Sequence, residues 1–316
     1  MTSSRFRIAG LLAAAAIVVG ACSGAAATAS PTAAPTTAPA ATTAPTSASA
    51  QSAAALPTVP ATELIKAGTL TVCSDTSYPP QESLDKNNKA VGSDIDLATE
   101  IAKRLGLQVS VSSTVFDTII PALTGGSCDI IISAQTITDA RKQAVDMIPY
   151  FAAGQSFVVL KGNPSGIAAV TDLCGKTVAA EKGTVEADHI AGTGDYTADT
   201  SLDAQCKTAG KPDITLQVFA ADTDALLALQ AGTVVAHFTD EPVAGYEVVN
   251  GNGAFEMLPS LTVERGDEGI SVTKNHPELR DAVKAALQQM IDDGTYKTIL
   301  TTWGVQSGAV TSTSGS

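Results

Sequence analysis

Positive charge is in short supply in this chain. Nineteen Lys and Arg face thirty-two Asp and Glu, giving a formal charge of -13. No basic face is available to displace counterions from phosphates, which argues against nucleic acid as a partner. His189, His237 and His276 lie far apart, and none has a second histidine or a cysteine three or four residues away. No metal is therefore expected, and the three histidines read as surface or structural residues. Neither a glycine-rich phosphate loop nor a serine nucleophile elbow occurs, so nothing asks for a cofactor. Aromatic residues are only 4% of the chain, but 44% of it is hydrophobic, enough to bury a sizeable core in one long domain or two smaller lobes. No internal repeat is visible, and beyond the first twenty residues no apolar run is long enough to cross a bilayer.

The amino terminus is the most legible stretch. Arg5 and Arg7 precede an apolar run from Ile8 to Val19, too short to span a membrane but suited to the core of a secretory signal. The run ends Val19-Gly20-Ala21-Cys22, which resembles the bacterial lipobox. Residues 1–21 are accordingly expected to be a lipoprotein signal peptide and Cys22 the lipidated residue, anchored to the outer face of the cell membrane by acyl chains alone. From 22 to 56 the chain is almost wholly Ala, Thr, Pro and Ser, too poor in large apolar area to order, and is expected to be a disordered tether. Residues 306–316 share that bias and carry the same expectation.

Between Pro57 and Val305 short apolar runs alternate with amphipathic stretches, the pattern of strands joined by helices. Strands are expected at Leu70–Cys73, Leu107–Val111, Ile130–Ile132, Val158–Leu160, Thr177–Ala180, Thr215–Phe219, Val234–Phe238 and Ile270–Thr273. Leu97, Ala98, Ile101, Ala102 and Leu105 recur at helical spacing, with Ser93 placed to cap the start and Gly106 the end. Ile119–Leu123, Asp224–Ala231 and a terminal segment carrying Val283, Leu287, Met290 and Ile291 also read as helices. The fold class is α/β, two open mostly parallel sheets with flanking helices, and the crevice at the strand carboxyl ends is the expected ligand site.

Several motifs occur in a fixed order. They are Val91-Gly92-Ser93-Asp94-Ile95-Asp96-Leu97, Phe116-Asp117 leading to Ile120-Pro121-Ala122-Leu123, Asp129-Ile130-Ile131, and Thr136-Ile137-Thr138-Asp139-Ala140-Arg141 with Val145-Asp146. Pro149-Tyr150-Phe151, Asp172-Leu173-Cys174-Gly175-Lys176, Gly183-Thr184 and Asp240-Glu241-Pro242-Val243 follow. With this series the chain, from Leu70 to Gly304, resembles the family 3 solute-binding proteins of ABC importers, the polar amino-acid class. The resemblance implies a two-lobed type II periplasmic-binding fold with two hinge crossings, near Phe151–Gln155 and near Glu264–Glu268. Lobe 1 would comprise 57–152 and 267–305 and lobe 2 residues 153–266. A monomer that hands its ligand to permease subunits is implied as well.

The resemblance also assigns roles. Arg141 falls where the family binds the ligand carboxylate, helped by Thr136, Ser133 and, from the second lobe, Thr184. Asp240 falls where the family accepts the ammonium, while Tyr78 and Phe116 match positions packing on the ligand's aliphatic part. Asp75 and Glu181 match positions that contact the ligand side chain. Two carboxylates facing one closed pocket repel unless a cation lies between them, so a basic amino acid is the expected ligand. The alternative for this last pair is a turn-capping Asp75 and a Glu181 paired with Lys182 in solvent. Ser93 and Gln81 stand where aromatics are common, and Val185 where a small or hydroxylated residue is frequent, so the pocket walls depart from the pattern.

The family resemblance further suggests a Cys174–Cys206 disulfide, which an exported compartment permits. Cys73 and Cys128 are expected on neighbouring strands but at opposite ends, and unbonded. Two rival readings remain: an enzyme on the same scaffold resembling cyclohexadienyl or arogenate dehydratase, with Glu181 as its acid, and a ligand-sensing surface lipoprotein.

Overall fold

The computed structural model describes residues 55–314. The leader at 1–21, Cys22 and the tether as far as residue 54 lie outside the described residues. Strands β1 (Thr69–Ser74), β2 (Ser77–Tyr78), β3 (Glu82–Leu84) and β4 (Ala90–Val91) precede helix α1 (Ser93–Arg104). Next come β5 (Gln108–Ser113), α2 (Ile119–Thr124), β6 (Ile130–Ile131), α3 (Asp139–Ala144) and the long β7 (Val145–Leu160). They are followed by β8 (Thr177–Glu181), α4 (Val185–Ala191), α5 (Leu202–Thr208), β9 (Thr215–Phe219), α6 (Asp222–Gln230) and β10 (Ala236–Asp240). The chain closes with α7 (Glu241–Asn250), β11 (Phe255–Met257), β12 (Val263–Thr273), α8 (Pro277–Asp292) and α9 (Thr295–Trp303).

Strand order in the main sheet is β5-β1-β6-β12-β7-β10-β8-β9, with β11 also paired to β7. Each end is a parallel trio, β5-β1-β6 and β10-β8-β9. The two open sheets expected from the sequence are thus present, but they are fused through β7 and β12, which pair antiparallel from Val145↔Thr273 to Gln155↔Val263. β7 is far longer than the Val158–Leu160 run suggested, because Pro149 and Gly154 interrupt its apolar pattern without breaking the strand.

The apolar residues gather on both sides of this junction. In the first half Leu70, Val72, Leu97, Ile101, Val272, Leu287 and Met290 form one core; in the second Phe157, Leu173, Val178, Ile190, Leu202 and Phe238 form another. Each large side chain so buried contributes about 1.5–3 kcal/mol. Helix α1 buries the predicted Leu97, Ala98, Ile101 and Ala102 face, and Gly106 leaves it at φ 70°. Its start differs from expectation. Ser93 is the first helical residue and makes no capping bond, whereas Gly92, at φ 138°, is the cap. Only glycine fits there: a Cβ on Gly92 would sit 2.0 Å from the Gln81 carbonyl oxygen.

Two further expectations are corrected. Cys73 and Cys128 form a disulfide, as do Cys174 and Cys206. β6 is only two residues long, so Cys128 lies in the turn before it rather than at a far strand end, and joins Cys73, Ile119, Leu123 and Val145 in one buried cluster. The segment after Val305 is also structured as far as Ser314. Gly308 packs against the outer end of the Phe151 ring, the Val310 amide donates to Tyr296 Oη at 2.9 Å, and Thr313 is buried against Gln288. Small residues, read as signs of disorder, are here what allows the chain to lie so close to the ring. No helix among the described residues is long and apolar enough to cross a membrane.

Candidate functional site

Where the carboxyl ends of β1, β8 and β10 converge, a narrow cleft is lined by residues of both halves. Asp75, Tyr78, Phe116, Thr136, Arg141, Glu181, Thr184 and Asp240 all lie on its wall. Ser133 does not. Its hydroxyl accepts the Asp75 amide at 2.8 Å and donates to Glu82 Oε1 at 2.9 Å, so its bonding directions are spent one layer behind the cavity. Sequence reasoning missed Glu82, Ala134 and Glu186, and noted Val185 only as a departure.

The cation is held by local geometry. Thr138 caps α3 by accepting the Arg141 amide at 3.1 Å, which fixes where the side chain leaves the helix. The guanidinium donates through Nη1 to the Thr136 carbonyl at 2.7 Å and through Nη2 to the Gly183 carbonyl at 3.0 Å. Its carbon lies 5.3 Å from the centroid of the Phe116 ring, a cation–π contact. Burial holds its pKa below the ordinary guanidinium value, with Glu186, Asp188 and Asp240 pulling the other way. Gly183 stands at φ 85°, and a Cβ there would meet Asp117 Cα at 2.8 Å, so the turn before α4 is pressed against the first half. Beside it Lys182 pairs with Asp117 at 2.7 Å. Thr184 then caps α4 and donates to the Glu181 carbonyl at 2.8 Å.

The acids outnumber this cation. Asp75, Glu82, Glu181, Glu186 and Asp240 line the same cavity, and none forms an ion pair among the described residues. Asp75 is a partly satisfied carboxylate, accepting the Ser77 amide at 3.0 Å and the Phe116 amide at 2.8 Å. Glu181 is buried and its Oε1 has no donor, while Lys182 is engaged by Asp117, which removes the solvent-paired alternative for Glu181. Burial pushes the Glu181 carboxyl well above the ordinary range, and the charges of Asp75 and Asp222 push it further. Asp240, at the end of β10, accepts from Tyr78 Oη at 2.9 Å and returns its own amide to the same oxygen at 3.0 Å. Burial, then the charge of Glu186, raises its carboxyl strongly.

Two polar networks back the wall. In the first half, burial raises Asp94 to about 6 despite hydrogen bonds from Tyr150 Oη and the Ala134 amide. The same tyrosine reaches Glu268, which also accepts from Gln81 Nε2 at 2.7 Å. In the second half, His237 sits between Asp222, 2.9 Å from Nε2, and Glu247, 3.2 Å from Nδ1. Their ligating atoms lie within 4.8 Å of one another. The two carboxylates occupy different ring nitrogens, so the arrangement suits an imidazolium more than an ion bound at one nitrogen. The network continues: Thr239 Oγ1 lies 3.2 Å from Asp222 Oδ1 and 3.0 Å from Tyr78 Oη.

Residues 70–306 match the model of the bacterial extracellular solute-binding proteins, family 3. The chain belongs to that family. It is 29% identical over 246 residues to the arginine-binding protein of Corynebacterium glutamicum, covering 78% of this chain and 77% of the relative. Its fold matches an ancestral arginine-binding protein bound to arginine with a TM-score of 0.64 at 37% identity, covering 75% of this chain and 98% of that one. An ancestral amino-acid-binding protein described as a precursor of cyclohexadienyl dehydratase gives a TM-score of 0.63 at 33% identity, covering 75% and 95%. These similarities place the chain with type II periplasmic-binding proteins and with binding proteins rather than enzymes.

Proposed function

We propose that this protein captures a cationic amino acid outside the cytoplasm and delivers it to an ABC importer, held at the membrane by a lipid on Cys22. The single observation behind the ligand class is charge: five carboxyl groups and one guanidinium share one buried cavity. An amino acid offers a carboxylate to Arg141 and the Thr184 turn, an ammonium to Asp240, and a cationic side chain to Asp75 and Glu181. Tyr78 and Phe116 flank its aliphatic stem. The family membership and the arginine-binding relatives support the same reading.

Lobe 1 is then residues 57–152 with 267–305, and lobe 2 residues 153–266, moving as a monomer about β7 and β12. Contacts that bridge the two, such as Lys182–Asp117 and Arg141–Gly183, form on closing. A thermal-shift screen over the amino acids, polyamines and betaines tests the reading, because a ligand that binds only the folded form raises the midpoint by mass action. Arginine, lysine or ornithine should give the largest rise. A preference for glutamate with no response to cations would overturn it.

A further inference from the structure

Glu186 was assigned no role by its sequence position, yet it occupies a demanding place. It leaves the first turn of α4 and faces the same cavity as Asp240, which comes from the end of β10, and the charge of each carboxyl group bears on the other. They are 2% and 5% exposed and both line the cavity. Oε1 of Glu186 has no donor. Arg141 does not serve as the counterion, since its terminal nitrogens end on the carbonyl oxygens of Thr136 and Gly183. Two buried carboxylates facing one cavity repel strongly, and one proton between them relieves the repulsion.

Building on the amino-acid reading above, we propose that Glu186 and Asp240 together form the socket for the ligand's ammonium, and that a proton they share leaves as the ammonium enters. No covalent bond changes. One R–NH3+ arrives from solvent, one H+ returns to it, and ammonium N–H groups take over the bonds that the shared proton made. The donor-free Oε1 of Glu186 then gains a partner. The socket therefore favours primary ammonium ligands over quaternary ones, which have no N–H to donate.

Other titratable groups surround the pair and bound its behaviour. Tyr78 on β2 donates to Asp240, Arg141 on α3 draws both acids toward ionisation, and Glu268 on β12 and Glu181 on β8 oppose it. Asp188 lies one half-turn further along α4 and acts on Arg141. A raised carboxyl on both members of the pair agrees with the shared proton.

The test is titration calorimetry with L-arginine in buffers of different ionisation heat, from pH 5.5 to 8.5. The wild-type protein should release close to one proton more per arginine than Glu186→Gln at the lower pH values. Its affinity should gain up to about tenfold per pH unit where the pair still holds its proton, a slope that E186Q lacks. Equal proton release in the two proteins, or none from the wild type across the range, would overturn the socket while leaving arginine binding intact. Absence of binding by every amino acid in the wild type would instead remove the reading on which the socket rests. If E186Q does not fold, the wild-type release alone decides.

Discussion

Tyr78 and Asp240 are joined twice, the phenol donating to Oδ2 at 2.9 Å and accepting the Asp240 amide at 3.0 Å. One residue belongs to the β2 hairpin of the first half and the other ends β10 in the second, so the pair fastens the cleft at the pole proposed for the ammonium. Ser77 adds a parallel tie, accepting the Asp222 amide at 3.1 Å.

Removing the phenol should therefore loosen both closure and binding. Tyr78→Phe is expected to weaken arginine binding by a factor of about 5 to 15, the worth of about 1–1.5 kcal/mol for hydrogen bonds lost inside the protein. Calorimetry measures the affinity, and small-angle scattering reports whether the free protein becomes more open. An unchanged affinity would show that the double bond is incidental to capture.

Arg141 is held over the Phe116 ring by two carbonyls, a pose that lysine cannot copy with its single ammonium. Arg141→Lys should lower affinity for every amino acid tested by at least about tenfold, since a charge-assisted forked bond contributes roughly 1.5–3 kcal/mol. The melting temperature without ligand should change little. A loss confined to cationic ligands would place Arg141 at the wrong pole.

The unliganded cleft should have an unusual pH response. Asp94, raised to about 6, and Glu82, Glu181, Asp240 and Glu268, all pushed well above the ordinary range by burial, bind protons more tightly folded than unfolded. Their contribution to stability is complete below the unfolded carboxyl value of about 4 and is lost as pH rises through the folded values. Without ligand the midpoint should fall between pH 5 and pH 7.5, and saturating arginine should offset the fall. Differential scanning calorimetry across that interval is the check, and a midpoint that climbs with pH would contradict the sign.

His237 makes a separate demand on the second half. Its two carboxylate neighbours hold its pKa well above the ordinary imidazole value even though burial opposes the charge. Glu247→Gln removes one partner from a buried charged set and should cost about 3–5 kcal/mol in urea unfolding. Because a raised histidine stabilises below its unfolded pKa and ceases to do so above its folded one, that cost should shrink at alkaline pH. A cost that is the same at every pH would assign the residue to packing alone.

The disulfides admit a direct count. Alkylation of the unfolded, unreduced protein should label none of Cys73, Cys128, Cys174 and Cys206, as read by mass spectrometry. Replacing either pair by serine should lower stability by about 2–4 kcal/mol, the usual effect of opening a loop of this size. A labelled Cys73 or Cys128 would restore the unbonded state expected from strand ends.

Legibility in the sequence followed the physics of each element. The α1 stripe and the terminal helix were readable because burial on one face leaves a periodic trace, and β8 because a short strand buried throughout reads as an unbroken apolar run. Arg141, Asp240 and Thr184 could be found because motifs place them at strand ends and helix starts. Glu82 and Glu186 left no such trace, since a charged residue is counted as surface until tertiary contacts bury it. For Glu186 one signal was present: it lies in the first helical turn just past Gly183-Thr184, already marked as a ligand-facing corner. The length of β7 was hidden by Pro149 and Gly154, and the fate of Cys128 by a strand too short to extrapolate along.

The side-by-side run of β7 and β12 constrains how such a molecule works mechanically. Because both connections are rungs of one ladder, the halves cannot swivel independently or drift apart like beads on a string. On the proposed two-lobe reading they flex together by bending a narrow ribbon whose register shifts within the short stretch from Val263 to Gly269. Stiffening that short stretch, for instance with a proline or a cross-strand staple, would freeze the jaw at whatever angle it then held, turning a shuttle into either a permanent trap or an open dish.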